Sequence, residues 1–158
     1  MTPYEGFSIV LAAIAILVSI AAIVVSIVTF SKANALNLGN IELYINERIT
    51  HTKERVSDIE LQMSELVSKS KRTAQEERVL ETFRHSFMAA VENNINAYEE
   101  ACAKYLDKKV DRKRFTKLYK TEIRQLVENE AFKEYFDGVT SRYKAVLKVY
   151  KSWENLEK

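Results

Sequence analysis

FSIVLAAIAILVSIAAIVVSIVTF, residues 7–30, carries no charged residue, no proline and no glycine. At 1.5 Å of rise per residue, a stretch of about 24 residues makes a helix roughly 36 Å long, enough to cross a hydrocarbon core of about 30 Å with some tilt. An apolar helix of that length is expected to lie in a bilayer. Everything after it is polar-patterned, so the chain reads as all-α, with an N-terminal transmembrane helix followed by soluble helices.

The 158 residues include only three glycines and one proline, which leaves hairpins and a multi-strand sheet without their usual turn residues. With residues 1–6 read as a short extracytoplasmic tail, the remaining chain has room for one domain and a stalk. The single cysteine, Cys102, excludes an internal disulfide and fits a buried position on a helix face. Charge is unevenly spread: residues 31–103 hold nine Lys/Arg against twelve Asp/Glu, and residues 104–158 fifteen against nine. The basic excess therefore lies toward the C-terminus.

A cleaved signal peptide would want a basic start, a shorter apolar core and a small-residue cleavage site. MTPYEG has no Lys or Arg, and Thr29, Phe30, Ser31 and Lys32 make a poor site. A retained anchor is the expectation. Lys32 and Arg48 follow the span while Glu5 precedes it, and the positive-inside rule then puts the N-terminus outside and the C-terminal part in the cytoplasm. The expected location is a single pass through the plasma (inner) membrane.

Within the span, Ser8, Ala12, Ala15, Ser19, Ala22 and Ser26 recur at four-three spacing and draw a narrow stripe of small side chains. Such a stripe lets two backbones approach, and it predicts association between copies. Residues 31–44 are expected to form a juxtamembrane joint, because SKANALNLGN brings three asparagines and Gly39. Extended in phase, the stripe would reach Asn40 and Leu43, whereas the next apolar track starts at Ile45. A bend or unwinding near Gly39 would absorb the mismatch.

That track, Ile45, Ile49, Val56, Ile59, Met63 and Leu66, reads as the seam of a coiled-coil stalk over residues 45–72. A narrow seam must meet a second copy, another protein or the helices that follow. Thr73 and Glu76 match a capping box, which favours a new helix there over one continuous rod. Residues 73–158 are expected to fold as a small antiparallel bundle with helices over residues 74–106, 112–136 and 140–155.

No catalytic or metal pattern emerges, and no cofactor is expected. The two histidines lack the Glu-x-x-His spacing of di-iron bundles, and no HExxH, CxxC or phosphate-binding glycine loop occurs. The chain is thus not read as an enzyme. KYLDKKVDRKRFTKLYK, residues 104–120, is the most informative polar cluster, with Lys108, Lys109, Arg112, Lys113, Arg114 and Lys117 as candidates for an anionic surface. Lipid headgroups, nucleic acid or an acidic partner would all answer to it. The bland alternative is the solvated face around a helix turn. Tyr143, Tyr150 and Trp153 are the first choice for a protein-partner patch, although such aromatics are more often core.

The stretches NAYEEACAKYLDKKVDRKRF, YKTEIRQLVEN and KVYKSWENL, within about the last 65 residues, resemble the C-terminal region of uncharacterised bacterial proteins built from one membrane helix and a helical domain. The resemblance implies a bacterial inner-membrane protein from a mobile-element or phage-defence setting and carries no reaction with it. The expected function is assembly or sensing at the lipid bilayer, through self-association as a homo-oligomer and an unknown cytoplasmic protein partner. The alternatives are an oligomeric pore-forming effector, and a membrane tether for anionic lipid or, less favoured, nucleic acid.

Overall fold

A computed structural model describes residues 3–154, with side chains for residues 16–154. Helix α1 spans Pro3–Val67, α2 Ala74–Leu106, α3 Arg112–Glu128 and α4 Lys144–Glu154, with a 3-10 segment Glu130–Phe136 between the last two. The protein is all-α. The chain divides into two compact units, Met1–Asn40 and Ile41–Lys158.

In the first unit, α1 is long and apolar enough to cross a membrane, and none of its most apolar window is buried. The backbone from residue 31 to residue 44 stays helical, so the unwinding expected near Gly39 does not occur. Helix propensity explains why it need not: one glycine costs only about 1 kcal/mol, and its neighbours Ala35, Leu36 and Leu38 are adequate helix formers.

The second unit is a four-helix bundle, and its first helix, the part of α1 from residue 41 onward, is the segment read as a coiled-coil stalk. Arg48 pairs with Glu100 at 2.7 Å, and Thr52 accepts a hydrogen bond from Asn94 at 2.9 Å, so α1 and α2 run antiparallel. Glu42 meets Arg114 and Lys53 meets Glu122, so α1 and α3 run in the same direction. Glu99 contacts Ala145 and Tyr105 contacts Trp153, which sets α4 alongside α2 in the same sense. The order is up, down, up, down.

The joins explain these boundaries. Thr73 accepts from the Glu76 N–H at 3.2 Å while the Thr73 N–H donates to the Glu76 carboxylate at 2.8 Å, which completes the capping box. Arg72 donates to the carbonyls of Leu66, Val67 and Lys69, satisfying groups that the end of α1 leaves open. Between α2 and α3, Lys108 takes a left-handed φ of 60°. The Lys109 N–H reaches the Lys104 carbonyl at 2.9 Å and the Lys108 N–H the Tyr105 carbonyl at 3.2 Å. This is a Schellman termination with lysine at the place glycine usually takes.

Two boundaries differ from expectation. Helix α3 stops at Glu128, eight residues before Phe136, because extended Asn129 caps the 3-10 segment by accepting from the Ala131 N–H at 2.9 Å. Helix α4 begins at Lys144 rather than Thr140. Residues 137–143 instead form a turn in which Asp137 and Ser141 take local N–H groups.

Candidate functional surfaces

The seam residues are placed inside one chain. Ile45 and Ile49, each 3% exposed, belong to one core with Val91, Ile95, Phe115, Ile123 and Val146, and Val56 packs against it. Ile59 is buried separately, while Met63 and Leu66 are half-buried. The coiled-coil seam between copies is therefore replaced by intramolecular packing. Of the three occupants a narrow seam could meet, the helices that follow supply it, because the turn at residues 68–73 reverses the chain onto α1.

On the candidate span, Ser19, Ala22 and Ser26 are exposed. The Ser26 hydroxyl donates to its own helix, to the Ala22 carbonyl at 2.8 Å. Its proton is thus engaged within its own helix. Ser8, Ala12 and Ala15 lie outside the residues whose side chains are described.

The aromatic partner patch is overturned. Tyr143 is 1% exposed and Trp153 4%, and only Tyr150 is half-buried. Helix α4 packs on both α2 and α3, so its aromatic face belongs to the core. The Trp153 indole N–H donates to the Tyr105 hydroxyl at 3.1 Å, and the two rings meet edge-on with centroids 5.6 Å apart. Phe115 sits 5.1 Å from Tyr105 and 4.8 Å from Tyr119, which extends the cluster. Tyr150 instead donates toward the carboxylates of Glu128 and Glu154.

Burial alone would raise the Tyr105 phenol. Hydrogen bonds from Trp153, Thr116 and Arg112 outweigh it and hold its pKa below the ordinary value. Burial pushes the Cys102 thiol well up, with Glu99 adding to the effect, so it is kept protonated and unreactive. Burial likewise raises Tyr98, which donates to Glu122 at 2.7 Å in a network completed by Lys53.

Sequence reasoning missed Glu99. Its two carboxylate oxygens accept from the Ala145 and Val146 N–H groups, each at 2.9 Å, and so cap α4 from across the bundle. A contact 46 residues distant leaves no local pattern. The only trace in the sequence is the absence of a Ser, Thr, Asp or Asn immediately before Lys144.

The basic candidates converge on the turn between α2 and α3 and on the first turns of α3. Lys108, Lys109, Arg112, Lys113, Arg114 and Lys117 are all exposed. Arg112 lies over the Tyr105 ring, 4.7 Å from its centroid, and Arg114 pairs with Glu42 at 2.8 Å. Lys109 lies 3.5 Å from Asp107. Among the described residues, Lys108, Lys113 and Lys117 carry no ion pair.

Compared with protein-family models, curated proteins and solved structures, the chain matches none of them. The functional reading therefore stands on the residues and their geometry.

Proposed function

We propose that the chain is a membrane-anchored interaction protein. Residues 7–30 cross the membrane once with the N-terminus outside, the span associates with a second copy, and the bundle of residues 41–158 is displayed to the cytoplasm. One observation carries this reading: the apolar side chains from Ile16 to Val28 are exposed, and no other part of the described chain covers them. Water would not tolerate that surface, whereas lipid or another apolar helix would. The small-residue stripe is the one face of this helix on which two backbones could come close. Ile45, Ile49 and Ile59 are buried within the second unit, so this reading assigns self-association to the span rather than to that track.

The resemblance of the last 65 or so residues implies a bacterial inner-membrane protein, and a mobile-element or phage-defence setting is the process we infer from that resemblance alone. The protein would then act by assembly and by capture of a cytoplasmic partner rather than by a reaction of its own.

The test is made in native membranes. The chain is expected to resist alkaline carbonate extraction, and the bundle to be protected from protease in spheroplasts but digested in inverted vesicles. An Ala22→Cys variant is expected to crosslink to a second copy, while Val24→Cys, on the opposite side of the helix, is not. Release by carbonate would remove the anchor, digestion in spheroplasts would reverse the topology, and monomer at both positions would remove the self-association.

A further inference from the structure

We propose that the basic end of the second unit is a docking surface for the phosphate-bearing headgroups of anionic phospholipid, in the bilayer that holds the proposed anchor. This rests on the membrane-anchored reading and adds a ligand to it. Three observations carry it.

The first is where the basic end lies within its unit. Glu42 accepts from the Asp111 N–H at 2.8 Å and pairs with Arg114, so the turn between α2 and α3 is fastened to the residues with which the second unit begins. The 11 residue-to-residue steps from Phe30 to Ile41 reach at most about 40 Å even when fully extended. With the proposed anchor in a bilayer, headgroups are a dense anionic surface within reach of this end.

The second is chemical. Lys108, Lys113 and Lys117 are exposed and, among the described residues, carry no ion pair, and Leu118 on the same helix as the last two is 63% exposed. Leu118 adjoins Ile45, Phe115 and Tyr119 at the rim of a small apolar cleft. Lys113 and Lys117, four residues apart on one face of α3, with an exposed leucine next in sequence, suit an interface in which ammonium groups meet phosphates while the apolar side chain enters the acyl boundary. Lys108 also holds a left-handed backbone conformation that glycine would adopt with less strain. Its side chain is thereby carried at the tip of the turn.

The third separates lipid from single-stranded nucleic acid. A single-strand binding surface stacks bases on exposed aromatic rings among its basic residues. Here Tyr105, Phe115 and Tyr119 are all buried. What remains outside is Leu118 and six exposed basic side chains against the two carboxylates Asp107 and Asp111, a net positive surface without a stacking platform, which favours lipid.

The full chain, labelled with a fluorophore at Thr121→Cys, is reconstituted into symmetric vesicles of phosphatidylcholine alone or with a third phosphatidylglycerol. Quenching by a headgroup-labelled lipid is then read; buried Cys102 does not compete for label. Strong quenching is expected only on the anionic vesicles, lost in 1 M salt. In Lys113→Glu/Lys117→Glu the ratio of docked to undocked bundle is expected to fall on the order of tenfold or more. The neutral pair Lys113→Gln/Lys117→Gln should give an intermediate loss, and Trp153 emission verifies that each variant is folded. Equal quenching on both vesicle types, or none lost on charge reversal, would overturn the proposal. So would displacement from anionic vesicles by a DNA duplex at equal phosphate, which would mark a nucleic-acid surface. Release of the chain from both vesicle types by carbonate would be a separate result, removing the anchor and the docking surface together.

Discussion

At the scale of single residues, Glu99 ties α2 to the start of α4. Two charge-assisted bonds to the first amides of α4 satisfy donors that the start of a helix otherwise leaves open, and they place a carboxylate at the positive end of the helix dipole. Glu99→Ala is expected to destabilise the second unit by about 2–3 kcal/mol, because both amides are left unpaired in a partly buried site. Urea unfolding followed by the emission of the single tryptophan, Trp153, measures it; a loss under about 0.5 kcal/mol would show that water replaces the carboxylate fully. Glu76 offers a pH-dependent counterpart. The Lys69 ammonium and the Thr73 N–H and hydroxyl hold its pKa down to about 2, from 4.5. A depressed carboxylate contributes its stability above the unfolded pKa and loses it as pH falls through the folded one. Amides of residues 73–77 should therefore exchange faster between about pH 4.5 and 2 than the intrinsic pH trend predicts. In Glu76→Gln that excess should vanish.

At the scale of elements, the sequence was legible wherever the signal was local. The capping box at Thr73 and the apolar face of α2 put that helix at Ala74–Leu106, as the pattern predicts. The end of α3 was not legible, because Asn129 redirects the chain through one side chain within a run that is apolar enough to continue. The glycine-free turn after α2 is legible only in part. Lysine occupies the left-handed position, so Lys108→Gly is expected to stabilise the second unit by up to about 1 kcal/mol in the same urea measurement. An unchanged or lowered stability would mean that the lysine side chain contributes packing that the backbone argument omits. The seam at Ile45–Leu66 teaches the reverse lesson: its spacing was plain and its occupant was not. A stripe two positions wide fits a partner copy or a returning helix equally well, and only the turn at residues 68–73 decides between them. Ile49→Ala should accordingly cost about 2–5 kcal/mol of bundle stability. Leu61→Ala, at a residue 65% exposed, should stay within about 0.5 kcal/mol. If Ile49→Ala lowered only the oligomer mass and left unfolding untouched, the intermolecular seam would be restored.

At the scale of the whole molecule, the candidate span was legible from composition, because 24 uncharged and mostly apolar residues in a row have few alternatives. The candidate surfaces were less so. The basic cluster was visible as charge, yet its aromatics pointed outward or inward with equal ease until α4 was seen to cover them. Tyr143 and Trp153 show why: an aromatic stripe on a final helix looks the same whether it faces solvent or closes a bundle, and tertiary context decides. That context also sets what unfolds together. Ile45, Ile49, Tyr105, Phe115, Val146 and Trp153 share one core, whereas the described apolar side chains before residue 31 are joined to none of it. Trp153→Ala, expected to cost about 3–5 kcal/mol, should therefore raise amide exchange over residues 45–59 as much as over α4, although the two are nearly a hundred residues apart in sequence. Amides of residues 16–30 in a bilayer should keep their protection. Exchange that rose only in α4 would mean that the first helix of the bundle is held independently, and that the chain beyond the proposed anchor folds as a stalk with a smaller domain attached.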